Sequence, residues 1–108
     1  MEDNRIPLNV ITLSEHLENL MRISLIKDSE ETKISLEPNT LKSLIEELKQ
    51  KLTWCKSEGF HNIPLICRPD IRLYVRRLLE RDFPRLRVIS YLEITPQYKL
   101  EVLATINI

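Results

Sequence analysis

The stretch IPLICRPDIRLYVRRLLERDFPRLRVISY, residues 63–91, changes its hydrophobic period twice, and its reading decides the fold. Ile63 to Cys67 is a short apolar run with Pro64 near its start, the pattern of a strand whose first residue need not donate to a ladder. Arg68-Pro69-Asp70 then opens a helix. Its apolar set is Ile71, Tyr74, Val75, Leu78 and Leu79, at offsets of three, four, seven and eight. Phe83-Pro84 ends it, and Arg87 to Tyr91 returns to a strand pattern. A strand, a helix and a second strand within thirty residues imply, with the alternation upstream, a mixed or mainly parallel sheet with helices packed on it.

Upstream the alternation repeats. Leu8 to Leu13 is β-branched and apolar, and Ser14 behind it is a good N-cap, with Glu15 in the first turn where a carboxylate suits the helix dipole. Leu17, Leu20, Met21, Ser24 and Leu25 repeat at helical spacing. Residues 27–33, KDSEETK, read as a polar loop, and Thr32 to Leu36 as a short strand. Pro38 sits at the first position of the next helix, whose apolar stripe is Leu41, Leu44, Ile45, Leu48, Leu52 and Cys55. Lys42, Glu46, Lys49 and Lys56 take its wet side. Gly59, the only glycine, falls where a C-terminal cap is wanted. Lys99 to Ile106 is the last strand. The expected class is α/β, a small mixed sheet with about three packed helices in the order βαβαβαββ. Leu44, Leu48, Ile66, Val75, Leu78 and Val88 are expected to be buried between helices and sheet.

The length of 108 residues allows one domain, 1–108. One glycine leaves no room for a Gly-rich phosphate loop or a nucleophile elbow. Cys55, Cys67, His16 and His61 show no zinc-ligand spacing, and two unpaired cysteines read as reduced thiols. Cys67 with His61 is the one thiol–imidazole pairing available. A buried strand cysteine beside a surface histidine explains it better, because reactive thiols need electropositive, partly exposed surroundings. No catalytic, cofactor-binding or metal-binding residue is assigned. No apolar run reaches the ~20 residues that span a bilayer.

Sixteen basic residues balance sixteen acidic ones, yet the distribution is uneven. Residues 1–67 carry eight basic and eleven acidic side chains, and residues 68–108 carry eight and five. Arg68, Arg72, Arg76, Arg77, Arg81, Arg85 and Arg87 lie within twenty positions. Arg72 and Arg76, one turn apart, are placed on the wet side of the third helix, and Arg76 has pair spacing with Glu80. Three readings compete for this face. It is a solvated amphipathic surface, a protein-docking surface that offers planar guanidinium forks to carboxylates, or a nucleic-acid-binding face in a small α/β module. Few aromatics accompany the charge, which weakens the third.

Pro69-Asp70-Ile71-Arg72, Arg76-Arg77-Leu78-Leu79-Glu80-Arg81, Phe83-Pro84, Val88-Ile89-Ser90-Tyr91 with Glu93-Ile94, and Leu100 to Ile106 resemble the C-terminal end of the bacterial flagellar and type III secretion export-gate family, the family of FlhA and the injectisome SctV proteins. Val10 to Leu25 and Leu36-Glu37-Pro38 look like its upstream units. Arg68 stands where the family has a helix-capping serine, and Ala104 where many members have glycine. The resemblance implies the last subdomain of a longer, non-enzymatic protein: a cytoplasmic domain of a bacterial inner-membrane protein that forms a homo-oligomeric ring and receives chaperone–substrate complexes. It implies no cofactor and no nucleic-acid partner. Ring contacts in the family come mainly from other subdomains, so these 108 residues are expected to be monomeric alone. Arg72 and Arg76 are the expected protein-contact residues.

Overall fold

The computed structural model describes residues 2–108. Its elements are β1 (Ile6–Leu13), α1 (Glu15–Ile23), β2 (Leu25–Asp28), β3 (Glu31–Ile34), α2 (Pro38–Ser57), β4 (Leu65–Cys67), α3 (Arg72–Leu79), β5 (Val88–Ser90) and β6 (Tyr98–Ile106), with a 3-10 turn at Tyr91–Glu93. Four strands form one sheet in the order β5-β4-β1-β6, and every neighbour is parallel. β4 is the clearest case of a strand covered on both faces: Leu65, Ile66 and Cys67 are all fully buried.

The expected α/β class holds, with one strand more than expected. Antiparallel pairing occurs only in a separate hairpin, β2–β3, where Leu25 lies opposite Ile34 and Asp28 opposite Glu31. β2 takes the end of the apolar run assigned to the first helix and the start of the polar segment assigned to a loop. The reversal at Ser29 uses a positive φ of 57°, a conformation for which glycine is the ordinary signal, and serine hides it. The hairpin carries Ile34 into the core and lies against α3.

Capping follows the sequence closely at two helix ends. The Ser14 hydroxyl accepts the Leu17 N–H at 3.1 Å and donates to Asn107 Oδ1 at 2.6 Å, so it starts α1 and ties it to the end of β6. α2 ends with Gly59 at φ 89°, the Gly59 N–H donating to Lys56 O and the Phe60 N–H to Cys55 O. These two bonds make the Schellman arrangement that a left-handed glycine permits.

β1 touches its two neighbours unequally. β6 runs beside it from Ile6–Tyr98 to Leu13–Ile106, with Leu103 as the extra residue of a bulge after Val10. β4 pairs with β1 only around Ile11 and Thr12. Residues 6–9 and 98–101 therefore form a two-stranded parallel ribbon beyond the four-stranded part. Its exposed Ile6 and Tyr98 contrast with the buried Val10 to Leu13. The molecule measures 52 × 28 × 24 Å, and its radius of gyration of 14.6 Å exceeds the roughly 13 Å of a compact chain this long.

Five of the six expected core residues are buried: Leu44, Leu48, Ile66, Val75 and Val88. Leu78 is half-buried, and Ile71, Val75 and Leu79 form the buried line of α3 instead. Residues four apart lie nearly one above another, whereas Leu78 is rotated about 100° from Leu79, which brings it to the edge of the stripe.

Candidate docking surface

The same rotation corrects the position of the arginines. With the buried line at Ile71, Val75 and Leu79, Arg72 and Arg76 stand about 100° from it, on its flank. Both are half-buried, not on the wet side. Arg72 Nη1 donates to Val88 O at 3.5 Å, and its Nε lies 3.9 Å from Glu93 Oε1. Glu93 is itself fixed, because its Oε2 accepts the Ser90 N–H at 2.7 Å, completing the capping box of the 3-10 turn. Arg76 Nη2 donates to Pro84 O at 3.2 Å, while its Nη1 is buried without a partner. The Arg76–Glu80 spacing makes no ion pair among the described residues. These two cations join α3 to β5 and to the turn before it.

The face of α3 opposite the buried line is Leu73 and Arg77, continued by Arg81 just beyond the helix, and all three are exposed. Sequence reasoning passed over Leu73 because it fits an apolar helix. Its offset of two from Ile71 was the available signal. Leu92, in the 3-10 turn that Glu93 and Arg72 hold, is 80% exposed, and Tyr91 beside it is also exposed.

Arg68, which stands where the family has a capping serine, cannot cap with its side chain, and α3 begins later, at Arg72, without a side-chain cap. The entry is secured from another helix: Glu18 Oε2 in α1 accepts the Arg68 N–H at 2.9 Å. Arg68 Nε and Nη2 grip both oxygens of Asp70 at 3.1 and 3.0 Å. Burial raises the Glu18 pKa, opposed by that Arg68 hydrogen bond.

Thiol chemistry has no support at Cys67. The side chain is fully buried, and burial, with the Glu18 carboxylate adding to it, pushes the thiol up to about 12. A nucleophilic cysteine requires the opposite shift. His61 is exposed on the loop before β4. Among the described residues no group of three or more His, Cys, Asp or Glu is placed to hold a metal ion, and no helix is long and apolar enough to cross a membrane.

The chain thus combines a small parallel sheet with helices, two cations turned inward as structural ties, and apolar side chains left open at Leu73 in α3 and at Leu92 after β5. The chain belongs to the FHIPEP family, whose model matches residues 1–99. FlhA, the flagellar biosynthesis protein of Bacillus subtilis strain 168, is 29% identical over 101 residues, which are 94% of this chain and 15% of that protein. The nonameric SctV-C of EPEC has the same fold at TM-score 0.81 and 28% identity, with 94% of this chain and 29% of that chain covered. CdsV of Chlamydia pneumoniae, solved in complex with CdsO, matches at TM-score 0.74 and 25% identity over 92% of this chain and 29% of that chain. The chain thus spans about a seventh of the flagellar relative and under a third of the solved domains. These relatives are a flagellar biosynthesis protein and the SctV-C and CdsV proteins, and the expected family is confirmed.

Proposed function

We propose that this chain is a protein-docking subdomain of a type III export gate, contributing to a ring on the cytoplasmic side that receives chaperone–substrate complexes. The observation that carries the reading is the likeness, over nearly the whole chain, to part of an SctV-C that assembles as a nonamer. The CdsV–CdsO complex supports a role in contacting other export components. The described side chains supply packing and contact surfaces, and the reading assigns them no catalytic step.

In this reading the α3 arginines meet carboxylates of a neighbouring subdomain, subunit or chaperone. Leu73, Arg77 and Arg81 present the contact surface, and Arg72 and Arg76 set its position by holding α3 to the backbone behind it. The 108 residues alone form a monomer at micromolar concentration, which light scattering checks. The functional test is photo-crosslinking in the native bacterium from a photoreactive residue at Leu73. Adducts with gate subunits or chaperone-bound substrates are expected. Arg77→Glu with Arg81→Glu should lower secretion while leaving the thermal melt of the chain unchanged, because reversed charge at a docking rim repels its partner. Wild-type secretion together with an absence of adducts would remove the export-gate reading of this face.

A further inference from the structure

We infer that the cavity between the end of α2 and the segment before β5 is a second docking site, one that takes an acidic peptide segment through a single bulky apolar side chain. The cavity has a volume of about 730 Å³, within the range of built ligand sites. Its apolar wall consists of Leu52, Phe60, Ile63, Phe83 and Leu86, all packed against the core. Lys56, His61, Arg85 and Arg87 also line it, and all four are exposed. No carboxylate lines it.

The geometry of the walls is fixed from three sides. The Schellman end of α2 turns the chain at Gly59, and Asn62 holds a positive φ of 58°. Arg87 Nη2 reaches Asn62 O at 3.5 Å, linking the two loops that face each other across the opening. Leu86 points inward while its neighbours Arg85 and Arg87 remain exposed, so the segment alternates with a period of two across the cavity wall.

Charge and burial together identify the occupant. Among the described residues Lys56, Arg85 and Arg87 form no ion pair. Three cations around one opening without a carboxylate between them repel one another, and an anionic partner relieves that repulsion. A small anion would need polar groups converging inside the cavity. The buried side-chain atoms that lack partners are Asn9 Oδ1 and Arg76 Nη1, and neither residue lines it. An apolar centre within a charged, wet rim is instead the anatomy of a protein interface, in which one large anchor fills the pocket and rim charges select the partner. Phe60 and Phe83, the aromatics that line the cavity, are packed against the core and only partly exposed, which limits the ring surface on which successive nucleobases could stack.

The test needs only the 108-residue chain and no secretion assay, so its failure leaves the export-gate reading standing. Random peptides of about twelve residues, long enough to fill a groove and cross its rim, are selected by display on the immobilised chain. The enriched pool should carry one Trp, Phe or Leu flanked by Asp and Glu. The winning peptide, made synthetically, should shift the backbone amides of Phe60, Ile63 and Leu86 in a heteronuclear NMR titration. Lys56→Glu with Arg85→Glu should weaken it by about tenfold or more, as reversing two rim charges does. Should that variant melt early, Lys56→Gln with Arg85→Gln replaces it, with a smaller loss expected, and added salt must weaken binding to the unaltered chain. A pool without acidic bias, no enrichment, shifts confined to other surfaces, unchanged binding by the charge variant, or displacement of the peptide by oligothymidine would each overturn the proposal.

Discussion

α2 and α3 both pair an apolar stripe with a run of cations, and they use those cations in opposite ways. Along α2, Lys42, Lys49 and Lys56 are exposed, and the one ion pair within the helix, Lys51 Nζ to Glu47 Oε1 at 3.6 Å, follows i,i+4 spacing. Along α3, Arg72 and Arg76 turn to carbonyl oxygens of Val88 and Pro84. Length accounts for much of the difference. A twenty-residue helix satisfies its own backbone and leaves its long side chains to water. The eight residues of α3 lie beside Pro84 in an irregular segment and Val88 at the start of the edge strand β5, and a planar guanidinium can reach both carbonyls. Charge on a helix is thus a poor guide to exposure when the helix is short and its neighbours are loops.

The comparison can be broken most sharply in the core, where the two helices should behave alike. Leu48→Ala in α2 and Leu79→Ala in α3 each remove a fully buried leucine, and each should cost about 2–5 kcal/mol in denaturant unfolding. Leu78→Ala should cost clearly less than Leu79→Ala, since Leu78 is only half-buried. Equal losses would place the stripe one residue earlier.

The cations should then separate the helices. Arg76→Ala is expected to lose about 1.5–3 kcal/mol, the range for hydrogen bonds from charged groups. Lys49→Ala should stay within about 0.5 kcal/mol, as exposed changes do. Similar values for the two would mean that the Pro84 contact contributes nothing. The helix ends give a smaller contrast. Gly59→Ala forces a left-handed φ on a residue with a Cβ and should cost about 1–2 kcal/mol, although open space surrounds the position.

The smallest effect concerns pH. Burial raises the Glu18 pKa in the folded state, so the folded protein binds that proton more readily than the unfolded chain does. Its contribution favours folding below the unfolded pKa and is lost as pH rises through the folded one. Glu18→Gln, which keeps an acceptor for the Arg68 N–H, should therefore be neutral or slightly stabilising at pH 7. That advantage should shrink when the melt is repeated at pH 4. An advantage that grows on acidification would contradict the sign.

Much of the fold was legible because local signals agreed with one another. Ser14, Pro38 and Gly59 each mark a boundary with a chemistry that has few other uses, and all three lie where the structure puts a helix end. β2 was not legible: its turn has no glycine, and its four residues are mostly exposed. The candidate docking surface was half legible. Periodicity identified α3 and its arginines, but an error of about 30° in the centre of the stripe moved Arg72 and Arg76 from flank to surface. The cavity beside α2 could not be read at all, because its walls come from three separated segments that only the tertiary fold assembles.

The pairing of β1 with β6 has a consequence in time. Thr12 Oγ1 lies 2.9 Å from Thr105 Oγ1, and the two residues are 93 positions apart. At ribosomal rates of about 5–20 residues per second, β1 waits roughly 5–20 s for this partner after it is made. During that interval the future sheet has an open edge at one of its most apolar strands, and residues 6–9 have no ladder on either side. Closing so large a loop adds little to the equilibrium cost, since the penalty grows only with the logarithm of length, but it defers the gain until β6 arrives. β6 is therefore the gate through which synthesis of this domain passes into folding, and a nascent chain stalled before Tyr98 should be as protease-sensitive along β1 as an unfolded one.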